Sequence, residues 1–119
     1  MLLIVGGEGS GKKTFAQTLG YTDKDIADAV LDGRPVLYHL ERMVFADPGC
    51  TDELLEALTD KEVVICNEVG SGVIPVERNE RLGWEATGRL CVLLAQRAAC
   101  VVRLVSGIPV VIKGELPCR

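Results

Sequence analysis

The first fourteen residues constrain the fold more than any other stretch of the chain. Residues 2–5 form a short apolar run that is typical of a buried parallel strand. Four glycines lie within residues 6–11, and Lys12 follows them directly. Gly6, Gly11 and Lys12 fit the phosphate-loop pattern G-x-x-x-x-G-K, which belongs between a strand and a helix. The sequence therefore predicts a strand, a phosphate-binding loop and a helix, in that order.

The residue types of this loop suit phosphate binding. Glycines let the backbone turn so that successive N–H groups point into one concavity, and the next helix adds its positive N-terminal end. We expect Lys12 to be exposed there, without core packing, and to place its charge against the outer phosphates. The predicted nucleotide-binding residues are Gly6, Gly7, Glu8, Gly9, Ser10, Gly11, Lys12, Lys13 and Thr14.

One position departs from the pattern. The residue after the lysine is normally Ser or Thr, whose hydroxyl holds Mg²⁺, and here it is Lys13. Thr14 carries a hydroxyl one place later, which is a rotation of about 100° around a helix. A glycine-rich turn between strand and helix, with no ligand, is the alternative interpretation of the whole segment.

Composition limits the other functions that the chain can have. Its 119 residues predict one domain over residues 1–119, and the 48% hydrophobic share predicts a well-filled core. A net charge of −4 argues against a nucleic-acid surface, although backbone amides can still bind a nucleotide locally. Five cysteines without C-x-x-C spacing indicate reduced thiols and a cytoplasmic protein. No signal peptide or membrane span is predicted.

Apolar periodicity and turn residues predict alternating helices and strands. Thr22 and Asp25 have the spacing of a helix cap, and Gly33 and Pro35 mark a helix end, so we expect a second helix over residues 22–31. Residues 41–45 fit either a short helix or more strand, and periodicity does not decide between them. The other predicted helices are 12–19, 51–58 with Thr51 as N-cap, and 80–99; the other predicted strands are Val36–Tyr38, 63–66, Cys100–Val105 and Ile108–Lys113.

Two glycines interrupt the longest predicted helix. Each of Gly83 and Gly88 costs about 1 kcal/mol relative to alanine, so one of them is expected to permit close packing or to mark a late start. The two-residue Ser106-Gly107 connection predicts an antiparallel hairpin at the edge of the sheet, and that exposed edge is the expected place for a homo-oligomer contact.

These elements predict a three-layer α/β sandwich with a mostly parallel sheet and a C-terminal antiparallel hairpin. In such sheets, ligands bind at the carboxyl ends of the strands. The loop after the first strand and the polar, glycine-rich loop after Cys66 should meet at that edge and form a nucleotide site.

The second loop carries a resemblance to a known family. Its sequence is Asn67-Glu68-Val69-Gly70-x-Gly72-x-x-Pro75. Together with residues 3–12, 63–66 and 88–98, Val101 and Ser106-Gly107-Ile108-Pro109, it resembles the adenosylcobinamide kinase/adenosylcobinamide-phosphate guanylyltransferase family of cobalamin biosynthesis. The resemblance implies a RecA-like P-loop NTPase fold. It also implies phosphoryl transfer from ATP or GTP, with Mg²⁺, to the aminopropanol hydroxyl of adenosylcobinamide.

The resemblance also implies roles for individual residues. Residues 6–12 would hold the triphosphate, with Lys12 as a catalytic residue. Glu68 matches the family's acidic residue beside the P-loop, where it would hold Mg²⁺ through water or accept a proton; a structural ion pair is the alternative. Arg81 and Arg89 would contact phosphate or the corrinoid, or make ion pairs on the helix surface.

Several departures favour a reduced activity. Lys13 replaces the metal-binding hydroxyl, and Tyr38-His39-Leu40 stands where the family carries an Asp-Cys-Leu-like stretch. The family's segment with the guanylylated histidine is missing between the predicted second helix and Pro35, so His39, the only histidine, does not match it. We therefore expect the guanylyltransferase half to be absent. The alternative is a non-catalytic P-loop protein that binds nucleotide or corrinoid as a partner subunit.

Overall fold

The computed structural model describes residues 1–68 and 78–116. Within these ranges the chain forms six strands and four α-helices. The strands are β1 (Leu2–Gly6), β2 (Ile26–Asp28), β3 (Val36–Tyr38), β4 (Val63–Asn67), β5 (Cys100–Val105) and β6 (Ile108–Lys113), and the helices are α1 (Lys12–Thr18), α2 (Leu40–Ala46), α3 (Thr51–Thr59) and α4 (Arg78–Arg97).

The strands form one mixed sheet in the order β2-β3-β4-β1-β5-β6. All neighbouring pairs are parallel except β5 with β6, which are antiparallel. In the centre, Gly6 at the end of β1 lies between Asn67 of β4 and Leu104 of β5. The predicted mostly parallel sheet with a C-terminal hairpin is confirmed.

Helices cover both faces of the sheet, which gives the predicted three layers. Leu3 and Val64 face one side, where they pack with Leu54 and Leu90 from helices α3 and α4. Leu2 and Ile4 face the other side, among the core residues that surround α1. Successive side chains of a strand point to opposite faces, so a continuous apolar run fills both layers.

The expected helix over residues 22–31 is wrong. Thr22 and Asp25 do form the predicted cap, since the Thr22 N–H donates to the Asp25 carboxylate at 2.9 Å, but it caps a single 3₁₀ turn over Asp23–Asp25. The chain then enters β2, where Ile26 and Ala27 are buried and pair with β3. Strand pairing buries these two residues, whereas Val30 beyond them remains 51% exposed.

The other helices differ from expectation mainly at their ends. Residues 41–45, which fit either element, lie in α2, which buries Leu40 and Val44 one turn apart. Helix α3 begins at Thr51, so Cys50 rather than Thr51 is its N-cap. Gly83 of α4 permits close packing, as predicted, because a Cβ there would lie 2.9 Å from the Phe45 ring.

The hairpin at the sheet edge turns through Ser106 and Gly107, which both have positive φ angles, of 50° and 78°. Such angles are typical of two-residue turns whose twist matches that of the strands. All residues of β6 are exposed. In the described part of the chain, no helix is long and apolar enough to cross a membrane. The four described cysteines are free thiols, and Cys118 lies outside the described residues.

Candidate functional site

The predicted phosphate loop follows β1 and leads directly into α1. Gly9 and Gly11 have φ angles of 74° and 90°, which L-residues with a side chain rarely adopt. The Ser10 N–H donates to the Gly7 carbonyl at 3.2 Å, and the hairpin braces the loop, because the Gly107 N–H donates to the Ser10 carbonyl at 2.9 Å. The glycines therefore serve the tight backbone path that the sequence predicted.

Gly6 has a further structural role at the start of the loop. A Cβ at this position would lie 2.6 Å from Ser10 Oγ and 2.8 Å from the Leu104 carbonyl oxygen. Contacts this short require something to shift, and the Leu104 carbonyl belongs to the strand that pairs with β1. The neighbouring Gly7 differs, because a Cβ there meets nothing within 4 Å.

The expectation that Lys12 is exposed and lacks packing is wrong. Its exposure is 5%, and its ammonium donates to the Gly7 carbonyl at 2.6 Å and lies 3.5 Å from Ser10 Oγ. Burial lowers the pKa of Lys12 below its usual value, and the negative charge of Glu41 opposes that shift. The buried charge of the Lys12 ammonium is therefore stabilised by hydrogen bonds to residues of its own loop.

The two residues after Lys12 lie on the accessible side of α1. Lys13 forms an ion pair with Asp23 at 3.6 Å, and its ammonium lies 5.9 Å from the centre of the Tyr38 ring. Thr14 is exposed. Neither residue contacts the Lys12 ammonium in the described structure.

The loops after β1 and β4 meet, as the sequence predicted. The Glu68 N–H donates to the Gly6 carbonyl at 2.7 Å, which places Glu68 directly beside the phosphate loop. Its carboxylate accepts a hydrogen bond from Arg103 at 3.0 Å and forms an ion pair with it. The ion pair that was the alternative interpretation of Glu68 is therefore present. Residues 69–75 of the second loop lie outside the described residues.

Sequence analysis missed a buried carboxylate at this edge. Glu41, in the first turn of α2, is 7% exposed, and its Oε1 accepts the Asn67 N–H at 3.0 Å. Its charge also acts on Lys12. The signal is weak because residues 41–45 fit a helix or a strand, and only the helix that starts at Leu40 turns Glu41 towards β4.

A second missed contact involves the single histidine. His39 Nδ1 lies 2.6 Å from Asp28 Oδ1, at the end of β2, and the imidazole stacks on Tyr38 with 3.7 Å between ring centres. The expected helix over residues 22–31 concealed this pairing. Arg81 and Arg89, the two arginines singled out from the resemblance, lie on exposed positions of α4.

The geometry agrees with a comparison against known families. The model of the CobU family, described as cobinamide kinase / cobinamide phosphate guanyltransferase, matches residues 44–112. The chain belongs to this family. The match covers β4, α4 and the β5–β6 hairpin and begins after the phosphate loop. None of the curated proteins compared with the chain matches it.

Membership of the CobU family supports a cobinamide kinase- or guanyltransferase-like role in cobalamin biosynthesis. The Ser106-Gly107 turn lies within the matched residues. Its Gly107 N–H donates to the Ser10 carbonyl, so the matched hairpin contacts the phosphate loop, which lies outside the match.

The donor set near the loop fits a magnesium ion that is shared with phosphate. Among the described residues, no group of three or more His, Cys, Asp or Glu side chains could hold a metal alone. Mg²⁺ at nucleotide sites needs only one or two protein oxygens, because phosphate oxygens and waters complete its octahedron. Glu68 offers Oε1, which has no hydrogen bond within the described ranges, and Thr14 offers an exposed hydroxyl.

Proposed function

We propose that this chain binds a nucleoside triphosphate through residues 6–12 and transfers the γ-phosphate to the aminopropanol hydroxyl of adenosylcobinamide. The observation that carries the proposal is the contact between the two loops. The Glu68 N–H bonds to the Gly6 carbonyl, so the acidic residue of the family-matched region lies beside a complete glycine loop and its lysine.

Positioning and charge stabilisation would supply most of the catalysis. The loop N–H groups and the Lys12 ammonium would hold the β- and γ-phosphates. For this, the ammonium would exchange its bond to the Gly7 carbonyl for phosphate oxygens. The acceptor oxygen would attack the γ-phosphorus, the bond from that phosphorus to the bridging oxygen would break, and its electron pair would leave with the nucleoside diphosphate.

Glu68 and Thr14 are the residues that would hold Mg²⁺. When bound, the ion would neutralise charge on the phosphate oxygens. Glu68 combines a position beside Gly6 with a free Oε1 within the described ranges, while Arg103 fixes its Oε2. Thr14 is the weaker candidate because it is exposed and lies one place beyond the usual hydroxyl.

We propose that the kinase reaction is the only transfer that this chain performs. The single histidine follows β3 and pairs with Asp28, and the resemblance implies that the segment with the family's guanylylated histidine is missing. This proposal allows GTP as well as ATP as the phosphate donor, because the proposed contacts of residues 6–12 are with the phosphates and not with the nucleobase.

A second candidate function is nucleotide or corrinoid binding without transfer. Two observations favour it: Lys13 replaces the metal-binding hydroxyl and pairs with Asp23 instead, and Lys12 is tied to its own loop. Such a protein would act through a partner subunit.

A turnover assay separates the two candidates. The chain would be incubated with ATP or GTP, Mg²⁺ and adenosylcobinamide, and the mass of the corrinoid product would be measured by mass spectrometry. The kinase proposal predicts a corrinoid with one added phosphate, formed by the wild type and not by Lys12→Ala. Tight nucleotide binding without that product would refute the kinase and support the binding protein.

A further inference from the structure

Two unusual backbone conformations lie side by side at the carboxyl edge of the sheet. Ala29, just after β2, has a φ angle of 55°, and His39, just after β3, has a φ angle of 60°. Side-chain-bearing residues avoid this left-handed region unless their surroundings hold them there, and such residues concentrate at functional sites. The Ala29 N–H donates to the Tyr38 carbonyl at 2.8 Å, which locks the two strand ends together.

The strained ends present an aspartate–histidine pair. Asp28 Oδ1 and His39 Nδ1 are 2.6 Å apart, and stacking on Tyr38 fixes the plane of the imidazole, whose side chain is only 16% exposed. In the neutral imidazole, a proton on Nδ1 donates to Asp28 and leaves a lone pair on Nε2. Over residues 1–68 and 78–116, no hydrogen-bond partner is present at Nε2.

This pair lies at the carboxyl ends of β2 and β3, with β4 between β3 and β1, and Tyr38 links it to the start of α1. Lys13, the residue after the loop lysine, holds its ammonium over the same Tyr38 ring on which His39 stacks. Two acidic groups near the loop have partners of their own, since Glu68 binds Arg103 through Oε2 and Glu41 accepts the Asn67 N–H. His39 therefore offers an oriented proton acceptor with an available lone pair.

We propose that His39 is the general base of the phosphoryl transfer and that Asp28 is its positioning residue. This inference rests on the kinase function proposed above. As the acceptor oxygen forms its bond to the γ-phosphorus, its hydroxyl proton passes to His39 Nε2. The bond to the bridging oxygen breaks, and the nucleoside diphosphate leaves with that electron pair. Asp28 holds Nδ1–H and stabilises the imidazolium that forms.

The variants that test this role keep the backbone conformation. Glycine and asparagine both tolerate a positive φ, so His39→Gly and His39→Asn should keep the turn while removing the base. We expect either substitution to lower kcat by about 10²–10⁴-fold and to leave the affinity for ATP unchanged. Arg42→Ala is the matched control, because Arg42 is an exposed residue of α2, the helix that begins directly after His39, and should keep the wild-type kcat.

Rescue with free imidazole distinguishes a base from a structural residue. Imidazole added to His39→Gly should restore at least about a tenth of the lost rate, whereas His39→Asn, whose side chain fills the space, should respond less. The double variant Asp28→Ala/His39→Gly should lose the rescue, because no side chain at position 28 would remain to orient the imidazole. A purely structural role of Asp28 would not produce that loss.

The outcomes separate this inference from the proposed function. A folded His39→Gly or His39→Asn with wild-type kcat, or a rate loss that imidazole does not reverse, overturns the role of His39 and leaves the kinase in place. A wild-type chain that binds ATP and makes no phosphorylated corrinoid overturns both.

Discussion

Replacing Gly6 with alanine tests whether close packing between β1, the phosphate loop and β5 builds the site. The new Cβ would lie 2.6 Å from Ser10 Oγ and 2.8 Å from the Leu104 carbonyl oxygen. The hydroxyl can rotate away, but the carbonyl belongs to a paired strand. Gly6 cannot retreat on its other side either, because its carbonyl binds the Glu68 N–H at 2.7 Å. Overpacking of this kind costs about 1–3 kcal/mol of the free energy of unfolding.

Gly7→Ala is the matched control for this variant. A Cβ at Gly7 meets nothing within 4 Å, so we expect its unfolding free energy to stay unchanged or to rise by about 0.4–1 kcal/mol, since alanine has fewer unfolded conformations. For a chain of this size, 1 kcal/mol corresponds to about 3–6 °C in Tm. Thermal unfolding by circular dichroism should therefore place Gly6→Ala below both Gly7→Ala and the wild type, and ATP titration should show weaker binding in Gly6→Ala than in the wild type. Equal Tm values for the two variants would refute the packing argument.

Three further predictions concern charge and chemistry at the loop. If Lys13 replaces the metal-binding hydroxyl, Mg²⁺ should strengthen ATP binding more in Lys13→Ser than in the wild type, and equal Mg²⁺ dependence would mean that Thr14 or Glu68 already supplies the ligand. Because burial lowers the pKa of Lys12, the unfolded chain binds more protons than the folded chain just below pH 10.5. The free energy of unfolding of the wild type should therefore rise with pH in that window, and that of Lys12→Met should not, which urea unfolding can measure. Incubation with α-labelled GTP and Mg²⁺ should leave no acid-labile label on the protein. A label on the wild type that is lost in His39→Ala would contradict this prediction and show that His39 becomes guanylylated.

Sequence patterns predicted the central part of the fold because its signals are local. Strands β1, β4 and β5 are continuous apolar runs, which suit strands covered on both faces. The Ser106-Gly107 turn needs only two residues to define the hairpin. The phosphate loop is likewise recognisable locally, because its glycines and Lys12 lie at the motif's spacing within seven residues, 6–12.

Strand β2 could not be predicted in this way because two local signals favoured a helix. The Thr22–Asp25 cap exists, and Ile26, Ala29 and Val30 have helical spacing, but pairing with β3 decides the conformation. A contact between elements overrides local propensity when it buries the same apolar residues in a sheet.

The electrostatic details of the site depend on contacts across the fold. Glu41 meets Asn67 across 26 positions of sequence, and His39 meets Asp28 across 11. No spacing rule connects such pairs. The burial of Lys12 was missed for a related reason: its ammonium satisfies itself on Gly7 within its own loop, whereas the motif implies an ammonium that is free for phosphate.

Calorimetric titration of ATP and GTP into the wild type and into Lys12→Ala tests most directly whether residues 6–12 are a triphosphate site. Removing Lys12 loses the hydrogen bonds of its ammonium to the Gly7 carbonyl and, at 3.5 Å, to Ser10 Oγ. Stability should therefore fall by about 1.5–3 kcal/mol, and circular dichroism should show that the variant is folded. We predict measurable binding of a nucleoside triphosphate to the wild type and none to the folded variant. Equal affinity in both proteins would contradict the account.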